Sequence, residues 1–224
     1  MTRLSVVNLS VGVAAAYACR LLADTGAEVV TARRDDDQLA PGGRRAAVGE
    51  FLHLGTTQVD LAEARHAAAE ADVVVVGGDA IGRAHVHAAT GARQIVAAIS
   101  PYGLAGPAAQ RPSSDLVLQA ESGGLATRGR PGTAPFMAGG GTIDWVSGAY
   151  AAAAMVAASR ARRRTGRGEV IDVSMLEVAH VTGTTYAPLT WRLHGCPPIE
   201  RPARSIESPE IHPTRDGWVG SWST

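Results

Sequence analysis

The chain of 224 residues contains no lysine; all 21 of its basic residues are arginine. That excludes Schiff-base chemistry and a phosphate-binding P-loop lysine within this chain. Aromatic residues make up only 4%, too few for the cross-strand pairs that a β-sandwich wants. The 21 acidic residues cancel the basic ones, which argues against a general nucleic-acid binder. The two cysteines, Cys19 and Cys196, form neither a CxxC pair nor a zinc spacing. Cys19 lies in an apolar helical run and reads as core, so a reducing cytoplasm is the default expectation. No uncharged apolar run is long enough for a membrane span, and the N-terminus lacks the apolar centre of a signal peptide. The seven histidines are scattered without metal-ligand spacing, so no metal site is expected.

What the chain does have is small residues and a regular alternation. With 26 glycines and 46% hydrophobic residues, the composition suits an α/β protein. Residues 4–9, 28–32, 72–76 and 94–100 are strand-like, and 169–173 adds another. The run Asp72-Val-Val-Val-Val is the pattern of a strand buried on both faces. Residues 14–23, 61–69 and 82–90 read as helices between them. Residues 51–54 are expected as a further short strand, 112–124 as one amphipathic helix, and 147–163 as a long alanine helix with arginines at its C-terminal end and Gly166 after it. Ser174 and Glu177 have capping-box spacing for another helix. Strands alternating with helices imply right-handed βαβ units, hence an open parallel sheet flanked by helices, with ligands near the strand ends. The first turn, Ser10-Val-Gly-Val-Ala, carries no GxGxxG dinucleotide fingerprint. From residue 195 the chain becomes proline- and arginine-rich, and Asp216-Gly-Trp-Val reads as a turn entering a hairpin strand.

One stretch organises the rest. Residues 136–148, Phe-Met-Ala-Gly-Gly-Gly-Thr-Ile-Asp-Trp-Val-Ser-Gly, place a flexible triple-glycine turn before a single carboxylate, Asp144, at the mouth of the long helix. Asp144 is the candidate reactive group; the alternative is that it merely caps the helix.

Five segments in this order resemble the class III (CaiB/BaiF-type) CoA-transferases: residues 18–30, 99–107, 115–124, 144–148 and 164–174. Together they cover most of residues 4–180. The resemblance implies an open Rossmann-like large domain over residues 1–194. Residues 195–224 would then be a linker and the truncated start of a smaller domain, in an interlocked homodimer. It implies CoA transfer between an acyl-CoA thioester and a carboxylic acid through an aspartyl-CoA intermediate, with CoA as a substrate and no permanently bound cofactor. Asp144 matches the family's catalytic aspartate and Arg34 its arginine after the second strand, placed for CoA. Backbone N–H groups of Gly139, Gly140 and Gly141 are candidates to steady an oxyanion. Two CoA-contacting segments of the family correspond to residues 55–58 and 77–82, which carry no basic residue. The family's racemase branch uses a histidine where this chain has Ser114, which has no comparable pKa. Two alternatives follow: a non-catalytic partner module of a double-length transferase, and a racemase-like enzyme. An isolated fragment of this kind is expected to fold incompletely.

Overall fold

A computed structural model describes residues 3–89, 93–125, 128, 133–183 and 210–221. Six strands form one parallel sheet: β1 (Ser5–Asn8), β2 (Glu28–Ala32), β3 (Thr57–Val59), β4 (Val73–Gly77), β5 (Ile95–Ser100) and β6 (Val170–Ser174). Their order across the sheet is β3-β2-β1-β4-β5-β6, with every neighbouring pair parallel. The direction of winding reverses between β1 and β4, so the crevice beyond their C-terminal ends is the switch point where open α/β sheets bind ligands.

The alternation of side chains along a strand explains the two-sided core. On β4, Val73 and Val75 pack with helices α1 (Val13–Asp24) and α6 (Thr142–Thr165) on one face. Val74 and Val76 pack on the other face with Ala64 and Ala68 of α3 (Leu61–Glu70). All four valines are fully buried, each contributing about 2 kcal/mol relative to exposure. On α6 the buried positions Ser147, Gly148, Ala151, Ala152, Met155 and Ala158 recur at helical spacing. Gly148 is needed there because a Cβ would come within 2.6 Å of the Ala14 carbonyl oxygen on α1. Cys19 is buried in the same layer, and burial pushes its thiol up to about 12.

Three expectations about elements change. Residues 51–54 are not a strand: helix α2 (Ala46–Leu52) runs into them, and the strand is β3, further on. Val48, Gly49 and Leu52 share one helical face, and Leu52 is fully buried with Val13, Ala16 and Leu39. The helix expected at 112–124 is shorter, α5 (Asp115–Glu121). The Ser114 hydroxyl caps it by accepting from the Val117 N–H at 3.4 Å, and Gly123 with φ 83° turns the chain away. Helix α6 starts five residues earlier than expected, at Thr142.

Elsewhere the expected punctuation is in place. Gly166 ends α6 in the left-handed conformation. The Ser174 hydroxyl accepts from the Glu177 N–H at the start of α7 (Met175–Gly183). Helix α4 (Ala80–Ala89) completes the β4–β5 crossover. Strands β7 (Glu210–Pro213) and β8 (Trp218–Ser221) pair as an antiparallel hairpin. The linker expected from residue 195, with Cys196 and His194 beside it, lies outside the described residues up to 209.

Candidate active site

Asp144 is the third residue of α6, and the residue that caps the helix is Gly141, in left-handed conformation at φ 73°. The capping alternative for Asp144 therefore does not describe its place: the carboxylate sits inside the first turn. It lines the switch-point crevice together with Ser10, Gly12, Gly77, Gly78 and Asp79. A helix N-terminus with its free N–H groups suits negative charge, yet the Asp144 carboxyl is held above its usual range. Burial is the main cause and the charge of nearby Asp115 adds to it, while Arg45 opposes both without cancelling them.

The turn before Asp144 is fixed from three sides. Gln119 on α5 holds Ala138 through both ends of its amide, accepting from the Ala138 N–H at 2.8 Å and donating to its carbonyl at 3.0 Å. Asp115 accepts from Gln119 at 2.6 Å and from the Ile143 N–H at 3.1 Å. It thus caps α6 from outside the helix and brings its charge towards Asp144. Trp145 stacks edge-on against Tyr17 of α1 with ring centroids 4.8 Å apart and donates to the Gly140 carbonyl at 3.1 Å. The Thr142 hydroxyl donates to the Gly139 carbonyl at 3.0 Å. The carbonyls of Gly139 and Gly140 are thereby held in place.

Arg45, the residue before α2, reaches the same place. Its Nη1 lies 3.4 Å from Asp144 Oδ2 and its Nη2 donates to the Gly140 carbonyl at 3.1 Å. A Cβ on Gly141 would stand 3.0 Å from Asp144 Oδ2 and 3.2 Å from each terminal nitrogen of Arg45. Neither Arg45, Asp115 nor Gln119 was singled out from sequence as a site residue. Arg45 is one of several arginines around a charged loop, and nothing local marks it.

Arg34 does not line the crevice with Asp144; it reaches that region only through Asp79, which does. It is 10% exposed and held by two carboxylates: Nη1 donates to Asp79 at 2.7 Å, while Nε and Nη2 fork onto Asp36 at 2.9 and 2.7 Å. Asp36, with help from Asp79, holds the guanidinium firmly charged, and Arg34 in turn pulls the Asp36 carboxyl below its usual range. Asp79 comes from segment 77–82, so that segment not only lacks a basic residue but supplies an acidic one. A further carboxylate, Asp37, accepts from the Gly12 N–H at 3.2 Å, at the N-terminus of α1. Among the described residues no cluster of three or more His, Cys, Asp or Glu could hold a metal ion, and no helix is long and apolar enough to cross a membrane.

Comparison with known proteins supplies the family and the fold. The CoA-transferase family III model matches residues 58–221. The chain is 34% identical over 129 residues to the succinyl-CoA:(R)-benzylsuccinate CoA-transferase subunit BbsE of Thauera aromatica, covering 57% of this chain and 31% of that one. It is 30% identical over 127 residues to the succinate–glutarate CoA-transferase of Agrobacterium fabrum, covering 56% and 32%. Among solved structures, a CaiB/BaiF family protein from Brucella suis superposes with a TM-score of 0.77 at 21% identity, over 96% of this chain and 64% of that one. The matches thus span about a third of the length of the curated relatives.

Proposed function

The chain belongs to CoA-transferase family III, and on that premise we propose that it moves CoA between an acyl-CoA thioester and a carboxylic acid, with Asp144 as the nucleophile. What carries this is the Asp144 carboxylate itself: desolvated, raised above its ordinary range and facing the switch-point crevice. A carboxylate withdrawn from water keeps its electron pairs poorly solvated, which favours attack on a carbonyl. Asp144 attacks the thioester carbonyl, the C–S bond breaks, and CoA leaves as the thiolate. The thiolate then attacks the aspartyl carbonyl of the mixed anhydride and releases the acyl group as a carboxylate. An acceptor carboxylate reverses both steps on the aspartyl-CoA thioester. Backbone N–H groups of Gly139, Gly140 and Gly141 are proposed to stabilise the oxyanions. What the two relatives' names share, transfer of CoA to or from a carboxylic acid, is what is carried over; no particular acid is. A homodimer, a cytoplasmic setting and the division at residue 194 belong to the same proposal.

The test is Asp144→Ala in the full-length protein. Loss of a covalent nucleophile is expected to lower kcat by roughly 10⁴-fold or more. Hydroxylamine added with an acyl-CoA should convert Asp144 of the wild type to a hydroxamate, found by peptide mass spectrometry. An unchanged rate in the variant would sink the assignment.

A second reading, the non-catalytic partner module, is favoured by one observation. The arginine expected to meet CoA, Arg34, is already paired with two carboxylates. Saturable CoA binding to the wild type would remove that reading. A racemase-like role has no such support, since Ser114 serves as the cap of α5.

A further inference from the structure

We propose that Arg45 is a catalytic residue: its guanidinium is the seat of the carboxylate that leaves and of the carboxylate that arrives, occupied alternately with the carboxylate of Asp144. This rests on Asp144 being the nucleophile. The contact to Asp144 is single and long, 3.4 Å from Nη1 to Oδ2. The other terminal nitrogen is anchored on the Gly140 carbonyl at 3.1 Å. A guanidinium offers five N–H donors and prefers a two-pronged grip on a carboxylate. The resting pair therefore leaves donor capacity unused, unlike Arg34, which forks onto Asp36 at 2.9 and 2.7 Å. The Arg45 side chain is 24% exposed, so it is half-withdrawn from water and still open to a ligand.

The charges change in a fixed order. In the resting site Arg45 faces the carboxyl group of Asp144. Once Asp144 is acylated, as anhydride or as CoA thioester, it is neutral, and the half-buried guanidinium loses its anionic partner. Asp115 is the other carboxylate at the turn, and its two oxygens accept from the Ile143 N–H and the Gln119 amide. In the same sequence a new anion appears beside Arg45. When CoA thiolate attacks the aspartyl carbonyl, the C–O bond of the anhydride breaks and its electron pair leaves with the acyl group as a carboxylate. The acceptor carboxylate replaces it, attacks the thioester carbonyl and expels CoA thiolate, which then attacks the acceptor's carbonyl in the new anhydride and frees the Asp144 carboxylate. No proton or redox equivalent is consumed, and Arg45 has a carboxylate partner at each stable stage. Gly141 makes this geometry available: with φ 73° and no Cβ, it leaves to the guanidinium and the carboxylate the space that a side chain would crowd.

The experiment uses the full-length enzyme with succinyl-CoA as donor and glutarate as acceptor. Arg45→Ala should raise the KM for glutarate and the inhibition constant for succinate together, by about 10- to 100-fold, the worth of a charge-assisted hydrogen bond. The KM for succinyl-CoA should move by no more than about threefold, because neutral thioester does not need the guanidinium. Guanidinium chloride at millimolar concentration should restore part of the lost rate in Arg45→Ala. Arg45→Lys, which keeps the charge and guards against a folding defect, should show a smaller rise in glutarate KM. If glutarate KM is unmoved, or rises together with that of succinyl-CoA without guanidinium rescue, Arg45 only props the turn and the proposal is overturned. If the wild type turns over succinyl-CoA and glutarate yet yields no hydroxylamine adduct at Asp144, the nucleophile assignment has failed, and the role of Arg45 fails with it.

Discussion

Helix α6 carries a carboxylate–arginine pair near each end, and the two are built to different standards. At its C-terminal end Arg162 donates to Asp72 at 2.7 Å, and Asp72 also accepts from the Ser5 N–H at 3.0 Å and the Ser5 hydroxyl at 3.2 Å. Burial pushes this carboxyl up, but the Ser5 N–H and Arg162 outweigh it, and the group is held below its usual range. At the N-terminal end Arg45 stands off at 3.4 Å, Asp115 repels, and Asp144 is held above its range. One pair ties α6 to the N-terminal ends of the central strands β1 and β4, away from the crevice. The other leaves a carboxylate with a single long contact at the switch point. Ion pairs made for stability saturate their hydrogen bonds, whereas a group meant to react is kept under-solvated and under-paired.

The largest way to break this contrast is at Gly141. Gly141→Ala puts a Cβ 3.0 Å from Asp144 Oδ2 at a left-handed position, forcing the carboxylate and Arg45 aside. Transfer should fall by roughly 10²-fold, the scale of a misplaced reacting group, with about 1 kcal/mol lost from stability. Steady-state rates and thermal melts measure the two separately. Next in size is Asp72→Ala, which strands Arg162 and the Ser5 N–H. It should cost about 2 kcal/mol, a drop in Tm of roughly 4–8 °C for a chain of this size, while kcat per folded molecule stays the same. Smaller again is Asp79→Asn. Removing one of the two carboxylates on Arg34 frees part of its charge for CoA phosphates, and CoA affinity measured by calorimetry should rise by about threefold, less at high salt.

The sequence made the contrast only half visible. Four consecutive valines on β4, the glycine after α6 and the Ser174–Glu177 cap are local patterns, and local patterns survive into the fold. The glycine turn before Asp144 is legible for the same reason. Arg45 and Asp144 are 99 residues apart, and what joins them is the return of the charged loop to the strand ends, which no periodicity encodes. Asp115 and Gln119 lie four apart on α5 and hold a turn 19 residues away. Their polar side chains could as well have faced solvent. The misplaced strand at 51–54 has a similar cause: Phe51 is 52% exposed under Arg20 and Leu54 57% exposed, so of its three apolar residues only Leu52 is buried.

The smallest effect separates the two carboxylates most cleanly, because its sign differs between them. A carboxyl raised in the folded state binds protons more tightly folded than unfolded, so its ionisation costs stability. For Asp144 that cost is absent below the unfolded pKa, grows as pH rises through the interval up to the folded pKa, and is constant above it. Asp144→Asn removes the cost, so the variant should melt slightly higher than wild type at neutral pH. As pH falls through the raised folded value the gap should close, since protonated Asp144 is neutral like the amide. Asp72→Asn should behave in the opposite sense. Its lowered carboxyl contributes stability that is present above the unfolded pKa and lost as pH falls through the folded value. That variant therefore melts lower than wild type at neutral pH and converges only in stronger acid. Melting curves for the three proteins across acidic to neutral pH decide the matter: two differences of the same sign would mean that Asp144 is an ordinary structural carboxylate, paired for stability like Asp72.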